Sequence, residues 1–539
     1  MAKIKLTIGF MFCCFAFAIG QSDDRYVVFL SDKEGTPYSI SSPEEFLTVK
    51  AINRPGRTIT AEDLPLNPNY VAGVEEAGAN ILQATKWFNA VLIEATSDEI
   101  TAIEALPYVS GWELVALGSK PLPGGRIGSK VEGGVNGRLE LKQQELLGIP
   151  KMHLDGYMGE NISIAVLDAG FENVDQNNYF SHVFDENRMK MACNLVTGST
   201  DVYDGRSNHG SRVFSTIAAN IDNGYVGTAP KSDFYLFITE EAEAESPIEE
   251  YYWTVAAEKA DSAGVDIITT SLGYSTFDVE FTSYTHDDLD GATTIITQAA
   301  EKAFLKGIFV VSSAGNEGNK EWVKVTAPAD GEHVLAVGSI DNNLLISDFS
   351  SIGPVVGNRI KPDVVAVGEG AVIVTESSTL IMGKGTSYSA PQVAGLIAGL
   401  WQKYPTMTNL ELFDTIISTA SNTDSPDNNF GYGIPNYLRF TNFIEGITAV
   451  DNSSDKSGFI LHPNPLSSNE LFVKGTNSIV SPNKITICNS SGTVLFTGVL
   501  KFDTSNNVAR LDLDNIPAGL YMILIESGEQ IQRLKLVKQ

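Results

Sequence analysis

Cysteine is almost absent from this chain. Its 539 residues include 4 cysteines, and two of them, Cys13 and Cys14, fall in an amino-terminal apolar run. The remaining pair, Cys193 and Cys488, reads as belonging to different domains, so no disulfide framework or cysteine-based metal site can be built. Positive charge is also scarce: 37 Lys and Arg against 66 Asp and Glu leave a net charge of −29. A phosphate-binding surface needs clustered cations, which excludes nucleic acid as a partner. Beyond the amino terminus no apolar run reaches the ~18 residues of a membrane helix. Histidine occurs 6 times, so any one of them taken alone has poor odds of being catalytic.

What is present begins with a leader. Lys3 and Lys5 precede LTIGFMFCCFAFAIG, a run of about 15 residues that suits a signal peptide better than a membrane span. Ala18 and Gly20 suit cleavage before Gln21, so residues 1–20 read as a signal peptide. Residues 21–116 read as a small α+β unit. RYVVFL, WFNAVLIEA and YVSGWELV are its strands, and TSDEITAIEAL is a helix capped by Thr96 or Ser97. Residues 117–137 are dominated by Gly and Pro without periodicity and read as a linker.

The pattern then changes. ISIAVLD, FYLFIT, VDIITTSLG and IFVVSSAGN are short runs rich in Val and Ile, separated by helical segments. Strands apolar on both faces that alternate with helices predict an α/β unit with a doubly wound, mostly parallel sheet over residues 138–450. Residues 455–539 carry strand-like runs between turn residues and predict a small antiparallel β-sandwich.

In a doubly wound sheet, sites form at the carboxyl ends of strands. Asp168 ends ISIAVLD, Ser271-Leu272-Gly273 ends VDIITTSLG, and Asn316 follows Ser313-Ala314-Gly315. His209 opens a helix in NHGSRVFSTIAA, and Ser387 sits in GKGTSYSAP at the start of QVAGLIAGLW. Singly, each reads as a helix cap or turn residue. Together they supply what acyl transfer needs: a hydroxyl nucleophile, an imidazole base, a carboxylate to orient it and an amide donor for the oxyanion. Gly383 and Gly385 are expected to let backbone and substrate approach closely. Pro391 is expected at or just after the first helical turn.

D-A-G after a strand, H-G-S-x-V, A-G-N and G-T-S-x-S-A-P, in that chain order, resemble the subtilisin-like serine proteases, the subtilases. The resemblance implies Asp168 as orienting acid, His209 as base, Ser387 as nucleophile and Asn316 as oxyanion donor. It implies that Ser271, Leu272, Gly273, Ser313, Ala314 and Gly315 flank the substrate cleft. Ala169 stands where the family has Thr or Ser. Tyr388 stands where it has Met or Phe, and is expected to reshape the cleft floor. No cofactor is implied for the chemistry. Structural calcium is allowed, with no ligand set to be mapped.

The flanking units carry resemblances too. WFNAVLIEATSDEITAIEALPYVSGWELV resembles the family's inhibitor-like propeptide. HPNP (462–465), SGTVL (491–495), NIPAGLYMILI (515–525) and KLVK (535–538) resemble the sorting domain of the type IX secretion system of Gram-negative bacteria. These imply a secreted or surface-bound endopeptidase made as a zymogen. Its partners are peptide or protein substrates, its own propeptide as inhibitor, and the secretion machinery. The alternative is an inactive subtilase-like binding or surface protein, against which the presence of all four catalytic residue types speaks. An α/β-hydrolase would need G-x-S-x-G, but residue 389 is Ser.

Overall fold

The computed structural model describes residues 23–118, 130–134 and most of 142–445, with the greater part of 459–538. The leader expected over residues 1–20 and most of the expected linker lie outside these residues.

The amino-terminal unit is a four-stranded antiparallel sheet. Its strands are β1 (Asp24–Leu30), β2 (Asn80–Thr85), β3 (Ala90–Ala95) and β4 (Val109–Ala116), in the order β2-β3-β1-β4. Helices α1 (Pro68–Glu76) and α2 (Ser97–Glu104) belong to the same unit. Thr96 caps α2: its hydroxyl accepts the Glu99 amide while the Glu99 carboxylate accepts the Thr96 amide. Alternation divides the strands between two cores. Tyr26, Val28, Val91 and Ile93 pack with Ile100 and Ile103, whereas Val27 and Leu92 join a core shared with the next unit.

Residues 130–134 correct the expectation of an unstructured linker. They form a strand, β5, whose short sequence KVEGG contains no run of apolar residues to signal it.

The central unit contains a seven-stranded, wholly parallel sheet. It is built from β6 (Ser163–Asp168), β7 (Met189–Asn194), β8 (Asp233–Ile238), β9 (Ile267–Thr270), β10 (Phe309–Ser313), β11 (Leu335–Ile340) and β12 (Val364–Val367). Their order is β12-β11-β10-β9-β6-β8-β7. Every residue of β6, β9, β10, β11 and β12 is buried, as expected of strands covered on both faces. Helices α3 (His209–Ala218) and α6 (Thr386–Lys403) belong to one large core. Helices α4 (Ile248–Ala263) and α5 (Ile295–Leu305) belong to the other. A hairpin of β13 (Glu369–Val374) and β14 (Leu380–Lys384) leads directly into α6, with β5 paired to its β14 edge.

The amino-terminal sheet docks on α4 and α5. Val27, Trp87, Ala90 and Leu92 share a core with Tyr251, Trp253, Val255 and Ala256. Glu258 of α4 accepts the Lys86 and Trp87 amides, each at 2.9 Å, and the Thr85 hydroxyl at 2.5 Å. Asp261 of α4 meets the guanidinium groups of Arg54 and Arg57 in full burial.

The carboxy-terminal unit is the expected pair of antiparallel sheets. Strands 459–462, 470–475, 508–512 and 502–503 form one, and strands 494–500, 483–489, 519–527 and 530–538 form the other. Leu471 and Val473 from the first sheet pack with Ile485, Ile487, Ile523 and Leu536 from the second.

Candidate active site

The winding of the sheet reverses at β6, which lies between β8 on one side and β9 on the other. The ends of β6, β9 and β10 deliver Asp168, the segment Ser271–Gly273 and the segment Ser313–Asn316 to one edge.

His209 is the first residue of α3. Its Nδ1 lies 2.7 Å from Asp168 Oδ1, with both side chains almost wholly buried. Oδ1 also accepts the Ala169 amide at 2.8 Å, while Oδ2 is buried without a partner among the described residues. A carboxylate facing Nδ1 puts the imidazole proton there and leaves Nε2 as the basic nitrogen. Gly210 makes this approach geometrically feasible. A Cβ at that position would lie 2.5 Å from Gly170 O and 3.0 Å from Asp168 Cβ. Any larger residue would push the helix start away from the acid.

Ser387 is the second residue of α6, beside the free amides of the helix start. Pro391 lies inside α6 just after its first turn, as expected. The carbonyl it cannot pair with is that of Ser387, four residues earlier. That carbonyl instead accepts the Ser271 hydroxyl at 3.0 Å. Asn316 reaches the same helix start. Its Oδ1 accepts the Thr386 amide at 2.9 Å and the Thr386 hydroxyl at 3.0 Å. Two donors on Oδ1 fix the amide orientation and leave Nδ2 as a donor.

These groups border a cleft of about 450 Å³. His209, Ser387, Asn316, the Ser271–Gly273 segment, Ser313 and Gly315 all line it. Ala314 does not: it is fully buried, and its amide and carbonyl bond to Val337 and Thr326. Tyr388 corrects another expectation. It is absent from the cleft lining and fully buried, its ring centroid 6.4 Å from that of His209. Gly383 makes room for this ring rather than for substrate, since a Cβ there would lie 2.5 Å from Tyr388 Cε2.

Sequence reasoning missed Glu240, Glu245, Glu317 and Thr326, which also line the cleft. Glu240 lies just beyond the carboxyl end of β8, and the rule that found Asp168 applies equally there. It accepts a hydrogen bond from the buried Tyr274 hydroxyl. Burial first, and then the nearby Glu245, push its carboxyl well above the usual range. Among the described residues no group of three or more His, Cys, Asp or Glu is placed to hold a metal ion, so no residues are assigned to structural calcium. No helix among them is long and apolar enough to cross a membrane.

The chain is similar to several characterised proteins. Subtilisin NAT of Bacillus subtilis subsp. natto is 31% identical over 287 residues, 53% of this chain and 66% of that one. Subtilisin of Bacillus pumilus is also 31% identical over 287 residues, covering 53% of this chain and 91% of its own. In structure the chain resembles fervidolysin of Fervidobacterium pennivorans, described as a keratinolytic enzyme related to subtilisin. The TM-score is 0.55 at 16% identity, over 96% of this chain and 76% of that one, which supports a shared fold. Residues 25–124 match the Peptidase S8 propeptide domain of Bacteroidota. Residues 461–539 match the secretion system C-terminal sorting domain, which makes this a secreted or cell-surface protein of a Gram-negative bacterium. Residues 159–433, about half of the chain, match the subtilase family model, and the chain therefore belongs to the subtilases, the family of subtilisin-like serine endopeptidases.

Proposed function

We propose that this chain is a serine endopeptidase, made as a zymogen, that cleaves peptide bonds through Asp168, His209 and Ser387. The observation that carries the reading is the 2.7 Å contact of Asp168 with His209 Nδ1, beside a cleft that His209 and Ser387 both line. In the reaction His209 Nε2 takes the proton of Ser387 Oγ as the oxygen attacks the substrate carbonyl. Asp168 holds the tautomer and stabilises the imidazolium. Asn316 Nδ2 and the Ser387 amide donate to the developing oxyanion. His209 then protonates the leaving amine, and water repeats the sequence on the acyl-enzyme.

The flanking units complete the proposal. The amino-terminal unit acts as propeptide and inhibitor and is cut away within or near residues 117–137. Its described body docks on α4 and α5, and the segment that would enter the cleft lies outside the described residues. The carboxy-terminal unit engages the type IX secretion machinery and takes no part in the chemistry.

A serine-directed phosphonate tests the central claim. The processed protein should be labelled at Ser387, and pure Ser387→Ala should hydrolyse no peptide while keeping its fold. Absence of labelling would favour an inactive binding protein instead.

A further inference from the structure

Thr326 lines the cleft and lies against both of its walls. It is almost fully buried, and its Oγ1 has no hydrogen-bond partner among the described residues. A Cβ built on Gly273 would lie 2.0 Å from that oxygen. A Cβ built on Gly315 would lie 3.0 Å from Oγ1 and 3.3 Å from Cγ2. The threonine side chain is thus held between the segments Ser271–Gly273 and Ser313–Gly315. Both walls are bare glycine at its level, and the threonine occupies the space they leave. Its backbone is fixed there, because the Thr326 amide donates to Ala314 O and the Ala327 amide to Tyr274 O.

The position of this slot decides which substrate group meets it. The carbonyl under attack must sit at Ser387 Oγ with its oxygen toward Asn316 Nδ2. The side chain of the same residue begins one bond away from that carbonyl. It therefore enters the recess beside Ser387, whose walls are the segment hydrogen-bonded to the Ser387 carbonyl and the segment ending in Asn316. Thr326 lines the cleft between those same two walls.

On the endopeptidase reading given above, we propose that Thr326 truncates the recess and makes the enzyme selective for a small side chain, such as Ala or Ser, immediately before the scissile bond. The shielded hydroxyl offers no bond to an incoming polar group, so the selection is by size. A buried hydroxyl without a partner costs stability. The bulk of the side chain, and not its hydroxyl, is what closes the recess.

The test uses the processed enzyme and two fluorogenic peptides that differ only in Ala or Phe before the cut. The wild type should favour Ala by about tenfold or more in kcat/KM, the scale set by small changes of fit in an apolar pocket. Thr326→Gly should move the Phe-to-Ala ratio toward Phe by about tenfold or more. Thr326→Ala, a milder change at the same atoms, should move it in the same direction and guards against a glycine variant that fails to fold. A wild type that cleaves the Phe peptide as well as the Ala peptide would overturn the inference, as would a ratio unmoved in both variants. Phosphonate labelling of Ser387 separates the two levels. Labelling with a flat preference overturns the recess alone, whereas no labelling overturns the endopeptidase reading and the recess with it.

Discussion

Replacing Asp261 by Asn should loosen the amino-terminal unit far more than it disturbs the rest of the protein. Asp261 lies on α4, and its partners Arg54, Arg57 and Lys86 all come from the amino-terminal unit. Arg54 Nη1 lies 2.9 Å from Oδ1, and Arg57 Nη2 lies 3.0 Å from Oδ2. Burial alone would raise this carboxyl, but Arg57, Arg54 and Lys86 bring it down to about 2. Against an ordinary value near 3.9, that depression corresponds to roughly 2–3 kcal/mol of favourable interaction. Asn would leave buried cations whose remaining acidic partner is Asp63, 2.8 Å from Arg57. Removing one side of a buried ion pair costs about 3–5 kcal/mol. The 21–137 fragment, titrated into processed enzyme as an inhibitor, should therefore bind Asp261→Asn about 10²-fold more weakly, or worse.

Melting of processed Asp261→Asn without the fragment should differ little from wild type, because Asp261 then faces water. The sign with pH follows from the depressed carboxyl. Its contribution to docking is complete above the ordinary carboxylate range and is lost as pH falls through about 2, so inhibition should survive at pH 4. A change of less than fivefold in affinity, or equal destabilisation with and without the fragment, would refute the reasoning.

Four further outcomes are expected. Asn316→Ala should lower kcat by about 10²–10³ with KM little changed, the loss associated with one oxyanion donor in subtilisin rather than a value worked from this structure; steady-state kinetics decides it. Gly210→Ala should cost at least about tenfold in kcat/KM through the 2.5 Å clash with Gly170 O, and unchanged kinetics would show that the helix start yields freely. His333, whose Nδ1 lies 2.9 Å from Glu301 Oε2, is raised above the ordinary imidazole range chiefly by that hydrogen bond. Its contribution to stability is present at low pH and lost as pH rises through the raised value, so His333→Gln should lower Tm at pH 6 and leave it unaltered at pH 9. Deleting residues 455–539 should leave hydrolysis by the purified protein intact and stop export past the outer membrane, read by an activity assay on each fraction of the native host.

Most of the central sheet was legible because buried parallel strands announce themselves as unbroken Val and Ile runs. Asp168, His209, Asn316 and Ser387 were legible as candidates because each falls at a strand end or helix start. Several features were not, for separate reasons. Strand β2, with the sequence NILQAT, alternates weakly and mixes polar residues into a sheet. Strand β5 is held by backbone bonds to β14, to which side-chain pattern is blind. Thr326 and Glu240 carry no motif; only folding brings them to the cleft from 60 and more residues away from Ser387 in the chain. The cap reading available to Ser387 taken singly does not hold, because Ser387 is already helical and Gly385 takes the cap position.

The hydrogen bond from Ser271 to the Ser387 carbonyl ties two properties that are usually tuned apart. On the roles proposed above, one partner is a wall of the recess that sorts substrates by shape, and the other is the backbone of the nucleophile. Because Pro391 has no N–H, the Ser387 carbonyl lacks the usual i+4 helical bond that would hold it against a shift of that wall. A substitution chosen to widen the recess through Ser271–Gly273 will therefore move the nucleophile as well. Changes in preference made on this wall should carry a loss of turnover with every substrate, whereas changes made at Thr326, which does not touch α6 through this bond, leave the two free to vary separately.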